Sequence, residues 1–502
     1  MDRQIRRLGL AFLLLFALLV GQITWVQVVQ ADRIADDPAN AKRQLIAEYE
    51  VQRGQIVTED GTVLAESRAS RGELVYQRHY PEGDLYAGIT GFYSFVFGKT
   101  ELEQSVDDYL NGDADELAAQ TFADLVLGRP KRGGSVVVTI RPDLQEAAAR
   151  AMAGQHGAVV AMNPTTGDIY VMYSNPSFDP NPLSSQDPSV VRDTWDTYND
   201  DPDKPLTDRA NDELYPPGST FKIITAATAL ENGYTLETRV ANPHVLDLPL
   251  TDDTLQNFGG SQCPGGSTIS LALAFQVSCN VAFGEIGLDV GAAALSAQAR
   301  AFGFCPTDPP ERTTCMEPTI PFAIPFATGR FPVAGYFEQN DPLVAISSIG
   351  QDNVLANPLQ MALVAAAVAN DGVMMRPRLV KEVRDPSGRV VKTFDPQQYG
   401  QPISRETALA LQEMMESVVE GGTGTAAQIP GVRVAGKTGT AQHGKGVAPH
   451  AWFVSFAPVD NPQIVVAVIV EDGGDLGDEA TGGHVAAPIA KQVIEAFLGV
   501  SG

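Results

Sequence analysis

GVRVAGKTGT, residues 431–440, fits two incompatible descriptions, and the fold depends on which one holds. As Gly431, four residues and then Gly436-Lys437-Thr438, it matches the phosphate-binding P-loop, a glycine-rich turn between a strand and a helix. As Lys437-Thr438-Gly439-Thr440, it is a strand whose lysine and threonines face a carboxylate-tailed peptide. A working P-loop needs a helix directly after the Lys-Thr pair, because the first helical amides point at the phosphate. Here the continuation is GTAQHGKGVAPH, whose glycines, proline and histidines argue against a helix. VVAVIVED ends in Glu471-Asp472 like an acidic Mg²⁺-holding strand, but buried apolar strands often end in an acid. Residues 432–440 are therefore read as an edge strand, with Gly439 leaving room for a substrate backbone alongside.

The strand reading requires companions, and the sequence contains them. In YPPGSTFKIIT, residues 215–225, Ser219 and Lys222 stand three apart at the start of a helix-favouring run closed by Gly233, so both project from one face. Ser219 lies in the positive field of that helix N-terminus, and Pro217-Gly218 forms the turn before it. A serine hydroxyl attacks only when a base removes its proton, and no histidine is near in sequence. Lysine serves as that base when burial or a second cation lowers its pKa, and Lys437 is the available cation. An SxxK by itself is weak, since composition alone yields about one in a chain this long, and its plain alternative is a solvated pair.

In FQVSCNVAF, residues 275–283, Ser278 and Asn280 flank Cys279. Alone this is an ordinary turn or cap. Beside an SxxK site, the serine would relay a proton while the asparagine positions the lysine and binds a substrate amide. Cys279 as a nucleophile would need an activating base that the sequence does not show. The three motifs in the order SxxK, SxN, KTGT form a specific signature of penicillin-binding proteins and serine β-lactamases.

The chain resembles a class B penicillin-binding protein over nearly its whole length, and most closely the short actinobacterial type. Beyond the motifs, the matching stretches are RGQIVTEDGTVLA (53–65), RANDELYPPGSTFK (209–222), GQDNVLANPLQMALVAAAVANDGVMMRPRLV (350–380) and GTGTAAQIPGVRVAGKTGTAQ (422–442). Asp352 departs from the glycine usual in the family. The resemblance implies an α/β (α+β) transpeptidase-like domain with an antiparallel central sheet flanked by helices. A smaller mixed N-terminal domain and one transmembrane helix would precede it. It also implies a D,D-transpeptidase that cross-links peptidoglycan stem peptides in cell elongation or division, with a carboxypeptidase side activity compatible with the same site. By resemblance, Ser219 forms the acyl-enzyme, which β-lactams also form, and Lys222, Ser278, Asn280 and Lys437 assist. Thr438, Gly439 and Thr440 bind substrate, and the amides of Ser219 and Thr440 form the oxyanion hole. No cofactor or metal is implied, and the partner implied is a polytopic lipid II polymerase of the shape, elongation and division family.

Neighbouring classes separate on sequence. A class A penicillin-binding protein needs a large glycosyltransferase domain, and the roughly 90 residues available fall below a typical domain of about 100 to 150. A serine β-lactamase needs an ExxLN-like loop, and none occurs between Asn280 and Lys437. The alternative from another class is a non-catalytic β-lactam sensor or a scaffold of the wall-synthesis complex. Complete motifs argue against the scaffold, and a single anchor argues against a multi-spanning sensor.

Bulk properties agree. At 502 residues, with 44% hydrophobic and 19% charged, the chain is globular and exceeds one ordinary core. A formal charge of -26 argues against nucleic acid, whose binding needs lysine and arginine on phosphates. Arg3, Arg6 and Arg7 precede an apolar run from Leu8 to about Val29, long enough to cross a bilayer core of about 30 Å. A cleaved signal peptide is the competing reading, and the length of the run, Trp25 and the lack of a small-x-small site favour an uncleaved anchor. The arginines then stay in the cytoplasm and both domains lie outside. The expected domains are an anchor at 1–30, a pedestal or dimerisation-like domain at 31–134, bounded by GRPKRGGS, and a transpeptidase domain at 135–502. Residues 186–213, rich in Asp and Pro, are expected to form a long surface connection. Outside the cytoplasm, Cys263, Cys279, Cys305 and Cys315 are either four buried thiols or candidate disulfides, with proximity favouring 263 with 279 and 305 with 315. No CxxC or HExxH occurs, so the common zinc sites have no support.

Overall fold

Runs such as GAVVAM and IVVAVIV are apolar at every position because they become strands covered on both faces. In the computed structural model, which describes residues 2–26, 30, 46, 48–71, 74–306, 322, 324–444 and 446–500, five antiparallel strands form the larger sheet. Their order is Ala435–Ala441, His450–Ala457, Ile464–Val470, Gly157–Met162 and Ile169–Asn175. Side chains alternate between faces. Val466, Val468 and Val470 join one core with helices Pro142–Ala151 and Ala486–Leu498, while Val465, Ala467 and Ile469 join the other with helix Pro358–Ala369. That last helix is buried on all sides, which explains a sequence that is apolar at every position but Gln360. Pro358 opens it, and Asn357 Oδ1 accepts from Gln360 N at 2.8 Å.

The second sheet, smaller because most of its strands are short although it has six, runs in the order Val390–Thr393, Val380–Arg384, Ser135–Val138, Ile56–Thr58, Val63–Ala69 and Tyr76–His79. The turn at Asp60-Gly61 joins two of these antiparallel strands as its chemistry predicts. The sheet also takes Ser135–Val138 and Val380–Arg384, so it continues past residue 134. Linker composition marks a turn there, but backbone pairing, which composition does not report, carries the sheet across. Beneath it Glu103 is fully buried between Arg53 at 2.6 Å and Arg78 at 2.5 Å.

Residues 186–213, expected as a long surface connection, contain one regular element. Pro188–Asp200 is a helix, with Pro188 in its first turn and Asp187 accepting from Ser189 N at 2.9 Å. The Asp-Pro start signal was legible, but the acidic composition obscured the helical period. Trp195 of this helix stacks on Phe97 at 4.5 Å and meets Phe92 edge-on at 6.1 Å. At the N-terminus, helix Asp2–Thr24 contains one stretch, Arg6–Thr24, long and apolar enough to cross a membrane. The rest of the apolar run, residues 27–29, lies outside the described residues.

Candidate active site

The edge strand Ala435–Ala441 runs beside the turn that carries Ser219. Gly218, at φ 52°, makes this approach: a Cβ there would come within 2.8 Å of Thr440 O. Gly218 N donates to Gly350 O at 2.9 Å, and a Cβ on Gly350 would meet Gly218 O at 2.2 Å. Ser219 therefore sits on a one-turn 3₁₀ segment, Gly218–Phe221, clamped between backbone neighbours, with helix Lys222–Glu231 following. Ser219, Ser278, Asn280, Thr438, Gly439 and Thr440 all line one cleft of about 1080 Å³. None of residues 186–213 lines it.

Lys222 and Lys437 are completely buried. Lys222 Nζ donates to Ser278 O at 2.8 Å, Asn280 Oδ1 at 2.7 Å and Ser278 Oγ at 3.3 Å. Lys437 Nζ donates to Ser278 Oγ at 2.8 Å and Thr438 O at 3.0 Å. Ser278 thus bridges the two lysine nitrogens. Burial, and then the Lys437 charge, holds Lys222 well below the usual lysine range, and burial brings Lys437 down to about 7. Among the described residues no side chain hydrogen-bonds Ser219 Oγ, and such contacts commonly tighten only when substrate is bound.

Backbone geometry holds Ser278 in place. It has φ 58°, unusual for a residue with a Cβ, between the end of helix Leu271–Gln276 and the start of helix Asn280–Ala301. Cys279 is joined to Cys263, on a loop that also lines the cleft. Cys305 is disulfide-bonded too, and Cys315 lies outside the described residues. The disulfide leaves Cys279 no thiol for a nucleophilic role.

Two details add to the sequence reading. A Cβ on Gly439 would lie 3.0 Å from Pro217 O, Thr220 Cγ2 and Trp452 Cβ, so its missing side chain admits the Ser219 turn. Asn280 Nδ2 donates to Gln256 O at 3.2 Å while its Oδ1 accepts from Lys222. Three contributors went unassigned in the sequence. Phe283 and Phe275 lie under the Lys222 and Lys437 ammonium groups at 5.5 and 5.6 Å, and Thr423 Oγ1 shares a 2.5 Å hydrogen bond with Thr438 Oγ1. The phenylalanines flank SCN in the quoted stretch, whereas nothing local distinguishes Thr423. The acidic strand end that suggested Mg²⁺ is otherwise engaged: Glu471 Oε1 accepts from Tyr215 OH at 2.6 Å and Arg209 Nε at 3.1 Å.

Comparison with known proteins agrees with this geometry. Residues 157–495 match the penicillin-binding protein transpeptidase domain, and residues 53–136 match the penicillin-binding protein A dimerisation domain. The chain is 42% identical to the peptidoglycan D,D-transpeptidase PbpA of Mycolicibacterium smegmatis and 41% identical to that of Mycobacterium tuberculosis, each over 99% of both chains. The structure of M. tuberculosis penicillin-binding protein A as a penicillin G acyl-enzyme complex superposes with a TM-score of 0.80 at 40% identity, covering 89% of this chain and 100% of that one. With buried paired lysines behind a serine cleft and a family match across most of its length, the chain belongs to the class B penicillin-binding protein transpeptidases.

Proposed function

We propose that this protein is a serine-type peptidoglycan D,D-transpeptidase acting through an acyl-enzyme on Ser219. The observation that carries the reading is the bridge of Lys222 and Lys437 by Ser278 Oγ in the cleft that Ser219 lines.

Neutral Lys222 takes the Ser219 proton as Oγ bonds to the carbonyl carbon between the last two D-alanines of a stem peptide. The amides of Ser219 and Thr440 hold the resulting oxyanion, each worth about 3 kcal/mol in such sites. As the C–N bond breaks, the proton passes from Lys222 through Ser278 to the leaving nitrogen, and D-alanine departs. An amine of a neighbouring stem attacks the ester, its proton returns to Ser219 Oγ, and a cross-link remains. Lys437, Thr438 and Thr440 hold the terminal carboxylate, and β-lactams acylate Ser219 by presenting a cyclic amide in the same place.

The N-terminal helix serves as a single membrane anchor, with Arg3, Arg6 and Arg7 inside and residues 31–134 and 135–502 outside the cytoplasm. The first domain docks a polytopic lipid II polymerase of the shape, elongation and division family. The test is labelling of the full-length chain with a fluorescent penicillin. Labelling should be lost in Ser219→Ala, and its persistence would sink the mechanism. Labelling without cross-linking of stem peptides would favour a sensor or scaffold.

A further inference from the structure

Away from the cleft, a second cavity of about 150 Å³ opens between the N-terminal part of the chain and the larger domain. One wall comes from residues 87–101, including Phe92 and Glu101, and the other from Phe178, Trp195 and Asp208. Phe92 meets Phe178 and Trp195 edge-on, with ring centroids 6.4 and 6.1 Å apart, so three packed aromatic rings form part of the walls.

Two carboxylates line this cavity, and each has an oxygen that is buried and, among the described residues, unpartnered: Glu101 Oε2 and Asp208 Oδ2. The other Asp208 oxygen is satisfied, accepting from Ser174 Oγ at 2.9 Å and Ala210 N at 3.0 Å. Gly88 borders Oδ2, where a Cβ would stand in van der Waals contact with it at 3.5 Å. Glu101 is also held at φ 45°, an uncommon backbone state for a side-chain-bearing residue, and such strain persists where the surroundings impose it. Burial raises the Asp208 carboxyl to about 6 and pushes Glu101 upward as well, as befits acids with no cation beside them. Orphaned buried carboxylate oxygens are costly, and two of them on residues that line a cavity with three aromatic rings define a complement: N–H donors, positive charge and a short apolar stem.

We propose that this cavity is a binding site for a small primary alkylammonium ion, its N–H groups donating to Glu101 Oε2 and Asp208 Oδ2 and its stem lying against Phe92, Phe178 and Trp195. A primary ammonium has three donors, enough for both oxygens. A cavity of about 150 Å³ admits a molecule of benzene size, which fits the five heavy atoms of n-butylammonium. Because the walls come from distant parts of the chain, the bound amine pins the N-terminal segment 87–101 against the segment that leads to Ser219.

The test titrates n-butylammonium chloride into the full-length protein in lipid nanodiscs against sodium chloride of equal ionic strength, reading thermal midpoint and the fluorescence of Trp195. A saturable rise beyond the salt control is expected. Glu101→Gln and Asp208→Asn should each weaken the apparent affinity about tenfold or more, as lost charge-assisted bonds do, while fluorescent penicillin labelling of Ser219 reports that both variants are folded. Glu101→Gln suffices if the other variant fails to fold, because the Oε2 it alters has no protein bond to lose. Tetramethylammonium, which has the charge without N–H donors, and n-butanol, which has the shape without charge, should not saturate. The proposal is overturned if n-butylammonium gives no response beyond salt, if tetramethylammonium binds equally well, or if Glu101→Gln binds like the wild type.

Discussion

Replacing Lys437 by methionine keeps a buried apolar stem and removes one of the two charges that converge on Ser278. Ser278 Oγ is 3.3 Å from Lys222 Nζ and 2.8 Å from Lys437 Nζ. The two nitrogens are therefore no more than about 6 Å apart, and at an effective dielectric of about 20 unit charges at that separation repel by about 3 kcal/mol. That repulsion equals about 2 pKa units on Lys222. Partial charge on Lys437, at about 7, reduces this figure near neutrality. The sign follows from the role of Lys222 as base. Without the neighbouring charge its pKa rises, less of it is neutral at a given pH, and the rising limb of acylation moves to higher pH. In Lys437→Met, acylation by a fluorescent penicillin should fall by up to about 100-fold below the limb and partly recover as pH is raised. Losing the carboxylate contact lowers the maximal rate, whereas the coupling moves the midpoint of the limb. Lys437→Arg keeps the charge, and its midpoint should stay near that of the wild type. A Lys437→Met midpoint indistinguishable from the wild type would refute the reasoning.

Three further outcomes follow from the geometry. Glu103→Gln leaves Arg78 buried without its counter-ion and Arg53 with Asp107 alone, and should cost about 3 to 5 kcal/mol in denaturant unfolding of the full chain. Gly439→Val should force the edge strand off Pro217 and Trp452 and slow acylation by about 100-fold, the scale expected for an ångström of misplacement; an unchanged rate would remove the close packing from the argument. His450, packed against Tyr215 and facing His443, Glu471 and Asp472, is lowered to about 4, mainly by burial. The unfolded chain then takes up that proton first. His450 therefore contributes stability that is full above about pH 6.5 and is lost, by up to about 3 kcal/mol, as pH falls towards about 4. In His450→Gln the fall in thermal midpoint across that window should be shallower.

Much of the larger sheet was legible because its strands are apolar at every position and bounded by turn residues, as in GAVVAMNPTTGDIYVMY. Apart from its Asp60-Gly61 hairpin the smaller sheet was not, since Ile56 pairs with Val136, 80 positions on, and Val136 with Val383, 247 positions on, with no local signal of pairing. The helix Pro188–Asp200 had its start signal in Asp187-Pro188 but lost its period among acids that face solvent. The motif residues were found because a serine, a lysine at the third position beyond it, an SxN and a KTGT in that order are rare together. Phe275, Phe283 and Thr423 were missed because their contribution is position alone.

GVRVAGKTGT illustrates the division. The sequence by itself determined that this stretch could not open a helix, that a serine and lysine share a turn elsewhere, and that further motif residues accompany them. These follow from local steric and hydrogen-bonding preferences. Only the tertiary structure decided that Lys437 meets Ser278 across 159 positions, and that both lysines are dry and within about 6 Å of each other. The proton affinity of a lysine depends on lost water and nearby charge, and both are supplied by segments remote in the chain.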